Sequence, residues 1–187
     1  MRCFAAIGLP QAVKARLAEV YEELRASGVR GAWVLPEQMH ITLRFLGEIP
    51  EELAAAYAER MTARLAQEPA FDLRVCGAGC FPNPRNPSVL WAGLEGETAR
   101  LRALAAIAEE AAVVAGCSPE PRKFQGHVTL GRIHAGFEPD LFLHVLEGLR
   151  TFDAGAFRVK RVTLYESRLR RSGPVYAKLE EFPLQDD

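Results

Sequence analysis

Apolar positions along this chain alternate between strand-like and helix-like spacing, and each change marks an element. Arg2 to Leu9 is nearly all apolar (Cys3, Phe4, Ala5, Ala6, Ile7), which predicts a buried strand. Pro10 then opens a stretch in which Val13, Leu17, Val20, Tyr21 and Leu24 recur at helical spacing. It predicts an amphipathic helix to about Ala26, stopped by Ser27-Gly28. Ala32 to Leu35 and Met39 to Leu46 read as strands on either side of a Pro36-Glu37-Gln38 turn, the second ended by Gly47. A helix starts at Pro50, with Leu53, Ala56, Tyr57, Met61 and Leu65 on one face. Strands at Phe71 to Cys80 and Val89 to Leu94 flank a turn-rich loop, Phe81 to Pro87. A helix follows over Thr98 to Ala115, carrying Leu101, Leu104, Ile107 and Ala111. A loop from Cys117 to Gly126 leads into a strand ending near Ile133, and a shorter helix spans Pro139 to Leu149. The chain closes with one long strand, Phe157 to Leu169, a Ser172-Gly173-Pro174 turn and a last strand, Val175 to Glu181.

This order implies an α+β protein with antiparallel sheets and helices on the outer faces. No segment is linker-like enough to divide it, so residues 1–187 are expected to form a single domain of two lobes. Hydrophobic content of 49% and a net charge of −1 fit a globular protein and argue against a generic nucleic-acid coating protein. Any RNA contact must therefore be local. Lysine is scarce (Lys14, Lys123, Lys160 and Lys178 only) and arginine abundant, which follows from genome composition more readily than from function. The cysteines, Cys3, Cys76, Cys80 and Cys117, complete no zinc pattern and are expected to be reduced, in a cytoplasmic protein. The N-terminal apolar run is too short for a signal peptide, and no run is long enough to span a membrane.

One phrase occurs twice: His40-Ile41-Thr42-Leu43 and His127-Val128-Thr129-Leu130. On a strand, residues two apart share a face. Each copy therefore presents an imidazole beside a hydroxyl and anchors itself through the two intervening apolar residues. A lone His-x-Thr is ordinarily structural; its repetition in the same four-residue setting carries the functional reading. His134 and His144 have no such setting, and read as a strand exit and a helix surface. The positions two and four after each motif histidine hold Thr42, Arg44, Thr129 and Gly131, none of them a metal ligand. Neither a Gly-x-Ser-x-Gly elbow nor a phosphate-binding Gly-x-x-x-x-Gly-Lys-Ser/Thr loop is present. Two histidines and two hydroxyls around one space equip a site for acid–base chemistry on a phosphate.

The paired motif resembles the two-histidine phosphoesterase superfamily, within which the chain is most similar to the RNA 2′,3′-cyclic phosphodiesterases, long called 2′-5′ RNA ligases. The stretches that carry the resemblance run from Arg2-Cys3-Phe4-Ala5-Ala6-Ile7 through both motifs, extended to Glu48 and Arg132, and Val89-Leu90-Trp91-Ala92-Gly93. They continue to Leu164-Tyr165-Glu166-Ser167-Arg168-Leu169 and Gly173-Pro174-Val175-Tyr176. One departure is Gly126, where the family usually has proline before the second histidine. The resemblance implies a bilobal, pseudo-twofold fold with one motif strand per lobe lining a positively charged cleft, and neither metal nor nucleotide cofactor. It implies His40 as proton donor to the 3′ oxygen and His127 as proton acceptor from water, roles the residues themselves do not assign.

Thr42 and Thr129 are candidates for holding the phosphate oxygens. Arg44 and Arg132 are further phosphate-binding candidates, although Arg132 reaches the cleft only if its strand bends near Gly131. Phe45, Phe124 and Tyr165 are candidate base-stacking residues. A late basic cluster (Arg158, Lys160, Arg161, Arg168, Arg170, Arg171) is a candidate track for an RNA backbone. The expected partner is RNA with a 2′,3′-cyclic phosphate end, tRNA fragments included, bound by a monomer. Two alternatives stay open: a phosphodiesterase for a small cyclic nucleotide or a 2′-5′ oligoadenylate, and an RNA-end-binding protein without catalysis.

Overall fold

The structure, a computed structural model, describes residues 1–186. In chain order they form β1 (Arg2–Gly8), α1 (Gln11–Ala26), β2 (Gly31–Trp33), β3 (His40–Glu48), α2 (Glu51–Leu65), β4 (Phe71–Phe81), β5 (Val89–Gly96) and α3 (Thr98–Ala115). Then come β6 (Val128–Ile133), α4 (Pro139–Gly148), β7 (Asp153–Val159), β8 (Arg161–Arg170) and β9 (Gly173–Pro183). The strands make two sheets, in the orders β3-β1-β8-β9 and β2-β6-β5-β4-β7. Every pairing between named strands is antiparallel. The fold is α+β, as the pattern predicts.

Each motif strand is the second arm of a strand–helix–strand unit: β1–α1–β3 in the first sheet, β5–α3–β6 in the second. The helix starts and stops follow their sequence signals. Pro10 and Pro50, in extended conformation, precede α1 and α2. Gly116, at φ 114°, ends α3 in the left-handed region that favours glycine. α1 packs along β7 of the second sheet, and α3 packs against β3 of the first. Each half thus covers the other's sheet, and one contiguous set of buried residues joins both. Fully buried Tyr57, Phe71, Phe142 and Phe182 are among its largest members, each worth about 2 kcal/mol of transfer free energy.

The final long strand is a correction. Residues 153–170 form two strands that meet at Lys160 and belong to different sheets. Phe157 and Val159 are buried, then Val162 and Leu164. The inward set changes from odd to even positions, so one straight strand would turn half of it to water. β7 pairs with β4, and β8 pairs with β1 and β9. All four cysteines are free thiols; Cys3 is buried and the others half-buried. No described helix is long and apolar enough to cross a membrane.

Candidate active site

The N-terminal ends of the two motif segments face each other across a cleft of about 630 Å³. His40 Nδ1–H donates to the Gln38 carbonyl at 2.7 Å, and His127 Nδ1–H donates to the Gln125 carbonyl at 2.7 Å. A carbonyl only accepts, so each Nδ1 carries the proton, and each Nε2 is left unprotonated. The Thr42 hydroxyl donates to neutral His40 Nε2 at 3.0 Å. Both imidazoles are anchored by the residue two positions earlier, and that residue is glutamine in both copies. The repeat is therefore Gln-x-His-Ile/Val-Thr-Leu, two residues longer than its histidine-led core.

A β-bulge follows each motif threonine. Along β1, Ala6 pairs with Thr42 and Ala5 with Arg44, leaving Leu43 extra. Along β5, Trp91 pairs with Thr129 and Leu90 with Gly131, leaving Leu130 extra. The extra residue reverses the alternation beyond it. Leu43 and Arg44 both turn inward, as do Leu130 and Gly131, while Phe45 and Arg132 return to the open face. Both Phe45 and Arg132 line the cleft with the motif residues. The bend that Arg132 needed is this bulge.

Three other sequence candidates lie elsewhere. Arg44 is a correction: it is buried, ion-paired with Glu109 of α3, and donates to the carbonyls of Phe45 and of Ser118, the latter at 2.6 Å. It ties β3 to α3 and does not line the cleft, because the bulge turns it inward. Phe124 does not line the cleft; it walls a separate cavity beside Gly126. Tyr165 is not among the cleft-lining residues; it stands beside Phe4 on the neighbouring strand, its ring stacked at 5.3 Å. Four of the six cations of the late basic cluster are ion-paired. Arg158 and Lys160 pair with Asp186, Arg161 with Glu181, and Arg168 with Glu166. β7 and β8 also carry these residues into different sheets, so no continuous cationic track forms.

Several residues around the two imidazoles were not site candidates in the sequence, although Arg2, Phe4, Trp91 and Tyr176 lie in stretches that carry the family resemblance. Phe4 and Tyr176 enclose His40, with ring centroids 4.9 and 5.4 Å from its imidazole. Phe81 and Trp91 lie 5.0 and 6.3 Å from that of His127. Arg2 lines the cleft from the same face of β1 as Phe4, a period-two signal hidden in an otherwise apolar run. Burial pushes the Tyr176 phenol up, against the opposing pull of the Arg132 and Arg2 guanidiniums. Both histidines are held below the ordinary imidazole range, chiefly by burial. The backbone carbonyls oppose this, and for His40 the neighbouring His127 and Lys14 add to it. No group of three or more His, Cys, Asp or Glu side chains among the described residues is placed to hold a metal ion.

Two opposed imidazoles, two hydroxyls and a guanidinium in a cleft between paired antiparallel sheets define the two-histidine class of phosphoesterase. The sequence profile of the LigT-like phosphoesterases matches residues 7–91 and 93–176, one segment in each half. The chain belongs to the LigT-like phosphoesterase family. It is 37% identical to the RNA 2′,3′-cyclic phosphodiesterase of Thermus thermophilus, an alignment covering 100% of this chain and 92% of that one. It is 35% identical to the Thermotoga maritima protein of the same name, covering 97% and 94%. Among solved structures, Escherichia coli LigT complexed with 3′-AMP superposes with a TM-score of 0.77 at 28% identity, covering 98% and 97%.

Proposed function

We propose that this protein hydrolyses RNA 2′,3′-cyclic phosphate ends to 2′-phosphomonoesters, with His40 as the acid and His127 as the base. The observation that carries the reading is the pair of imidazoles lining one cleft, each with its Nδ1–H tied to the backbone and its Nε2 left for chemistry. The names of the relatives support the substrate class. Water attacks phosphorus and gives its proton to His127 Nε2. The bond from phosphorus to O3′ breaks, and O3′ takes the proton from His40 Nε2. Once His40 is protonated it no longer accepts from Thr42, whose hydroxyl is then free to donate to a phosphate oxygen. Thr129 and Arg132 bear on the same developing charge.

The reaction needs no metal and no nucleotide cofactor, and one chain acting as a single cytoplasmic domain suffices. If an RNA 5′-hydroxyl replaces water, the same displacement forms a 2′-5′ bond without ATP. Hydrolysis wins wherever the second RNA end is not held in place. The test is to incubate an RNA oligonucleotide ending in a 2′,3′-cyclic phosphate, tRNA fragments included, with the protein in EDTA and to identify the product. A 2′-phosphate is expected. A 3′-phosphate, a strict requirement for added zinc, or turnover confined to 2′-5′ oligoadenylates or cyclic mononucleotides overturns the reading.

A further inference from the structure

A second cavity, of about 510 Å³, opens where β5 ends, α3 begins and the loop before His127 passes between them. Its apolar wall is Leu94, Leu101 and the ring of Phe124. These side chains close over Gly126 so tightly that a Cβ there would lie 2.7 Å from Leu101 Cδ2 and 3.3 Å from Leu94 Cδ1. Its rim carries Arg102 and Lys123, and no carboxylate lines it. Neither cation forms an ion pair with a described carboxylate. Arg102 has only a 3.5 Å contact to Thr98 Oγ1. Arg122, next to Lys123, is by contrast neutralised by Glu120.

An aromatic and aliphatic wall beneath two uncompensated cations matches a base joined to a phosphate. We propose that this cavity is a second nucleotide subsite, taking one unit of the RNA strand whose cyclic end lies in the cleft. The base rests on Phe124 and the two leucines, and the phosphate on Lys123 and Arg102. The cavity and the cleft flank one short stretch of chain. Gln125 lines the cavity, and its carbonyl fixes His127. A strand crossing from one to the other therefore passes the residue that sets the second imidazole.

The inference rests on the cyclic-phosphate reading and is tested separately from it. The double variant Arg102→Ala/Lys123→Ala changes two exposed side chains and leaves the buried packing intact. Its kcat/KM is compared with that of the unaltered protein on two substrates, a cyclic-phosphate oligonucleotide and a 2′,3′-cyclic mononucleotide, across a salt series. For the oligonucleotide the variant should show a kcat/KM about tenfold lower. Its slope of log binding constant against log salt should flatten by about 0.7 for each phosphate that the two cations no longer neutralise. The mononucleotide should be unaffected. Equal loss on both substrates, or none on the oligonucleotide, overturns the subsite. Inhibition of oligonucleotide turnover by free 5′-AMP, with an unchanged oligonucleotide salt slope in the variant, would make it a site for free nucleotides instead. Should the unaltered protein turn over neither substrate, the cyclic-phosphate reading fails. The subsite then stands or falls on whether a fluorescent single-stranded RNA binds the variant more weakly.

Discussion

The two motif strands are the same device with different surroundings. In both, a glutamine carbonyl two residues upstream fixes the imidazole, and a bulge follows the threonine. The positions after the bulge then diverge. In β3 they are Arg44, locked into an ion pair with Glu109, and Phe45, 51% exposed at the cleft. In β6 they are Gly131 and Arg132. Gly131 cannot carry a side chain, since a Cβ would lie 2.4 Å from the Trp33 ring and 2.7 Å from the Ala32 carbonyl. The duplicated backbone therefore supplies two comparable nitrogens. The residues that other strands bring to each copy make them unequal: Phe4 and Tyr176 enclose His40 more deeply than Phe81 and Trp91 enclose His127.

The symmetry is broken most severely by removing one imidazole. His40→Ala and His127→Ala should each lower kcat by about 10²–10⁴ with the fold retained. The double variant should be little worse than either single one, because the two act as a unit. Retained turnover in one single variant, with circular dichroism unchanged, would reject the paired scheme.

The divergent pair comes next. Arg132→Ala should cost about 10² in kcat/KM, by removing a cation from the charge that develops at phosphorus. Phe45→Ala should cost about tenfold or less, chiefly in KM, as expected of a stacking wall. Steady-state kinetics on one oligonucleotide separates the two, and a kcat loss for Phe45→Ala equal to that for Arg132→Ala would erase the distinction.

A subtler test is pH. Both histidines favour the neutral form, so the free enzyme holds the required imidazolium only on the acid side. The kcat/KM profile should peak below about pH 6.5 and fall as pH rises through the lowered value. The kcat profile should lie at higher pH, because bound phosphate favours the protonated ring. The same shifts mean that the unfolded chain binds more protons, so stability declines as pH drops below the ordinary imidazole range. An optimum for kcat/KM above pH 8 would contradict these assignments.

The smallest effect on activity belongs to Arg44. Arg44→Ala should reduce stability by about 2 kcal/mol, by stripping Glu109 and two carbonyls of their partner. Activity of the remaining folded protein should change little. Urea unfolding beside kinetics at low temperature checks this, and a large activity loss with normal stability would return Arg44 to the site.

Much of the fold and the site was legible in the chain alone. The span of α3 follows directly from its apolar spacing, and α1, α2 and α4 differ from theirs by a residue at an end. The paired His-x-Thr announced the two imidazoles because face-sharing at two-residue spacing is a local property. Two signals were present and easy to pass over: the glutamine before each motif, and the change from odd to even burial across Lys160. The fate of Arg44 and the basic cluster had no local signal, since Glu109 lies on α3 and Asp186 beyond the end of β9; nor did the cavity that Phe124 walls, which β5 and α3 complete.

The amino-acid sequence by itself determined the order of helices and most strands and singled out the two candidate motif segments, because periodicity needs only near neighbours. The tertiary structure decided which side of each motif strand its later residues occupy. A bulge is a mismatch of register between two strands, here β1 with β3 and β5 with β6, and neither strand specifies it alone. That mismatch took Arg44 out of the cleft and put Arg132 into it.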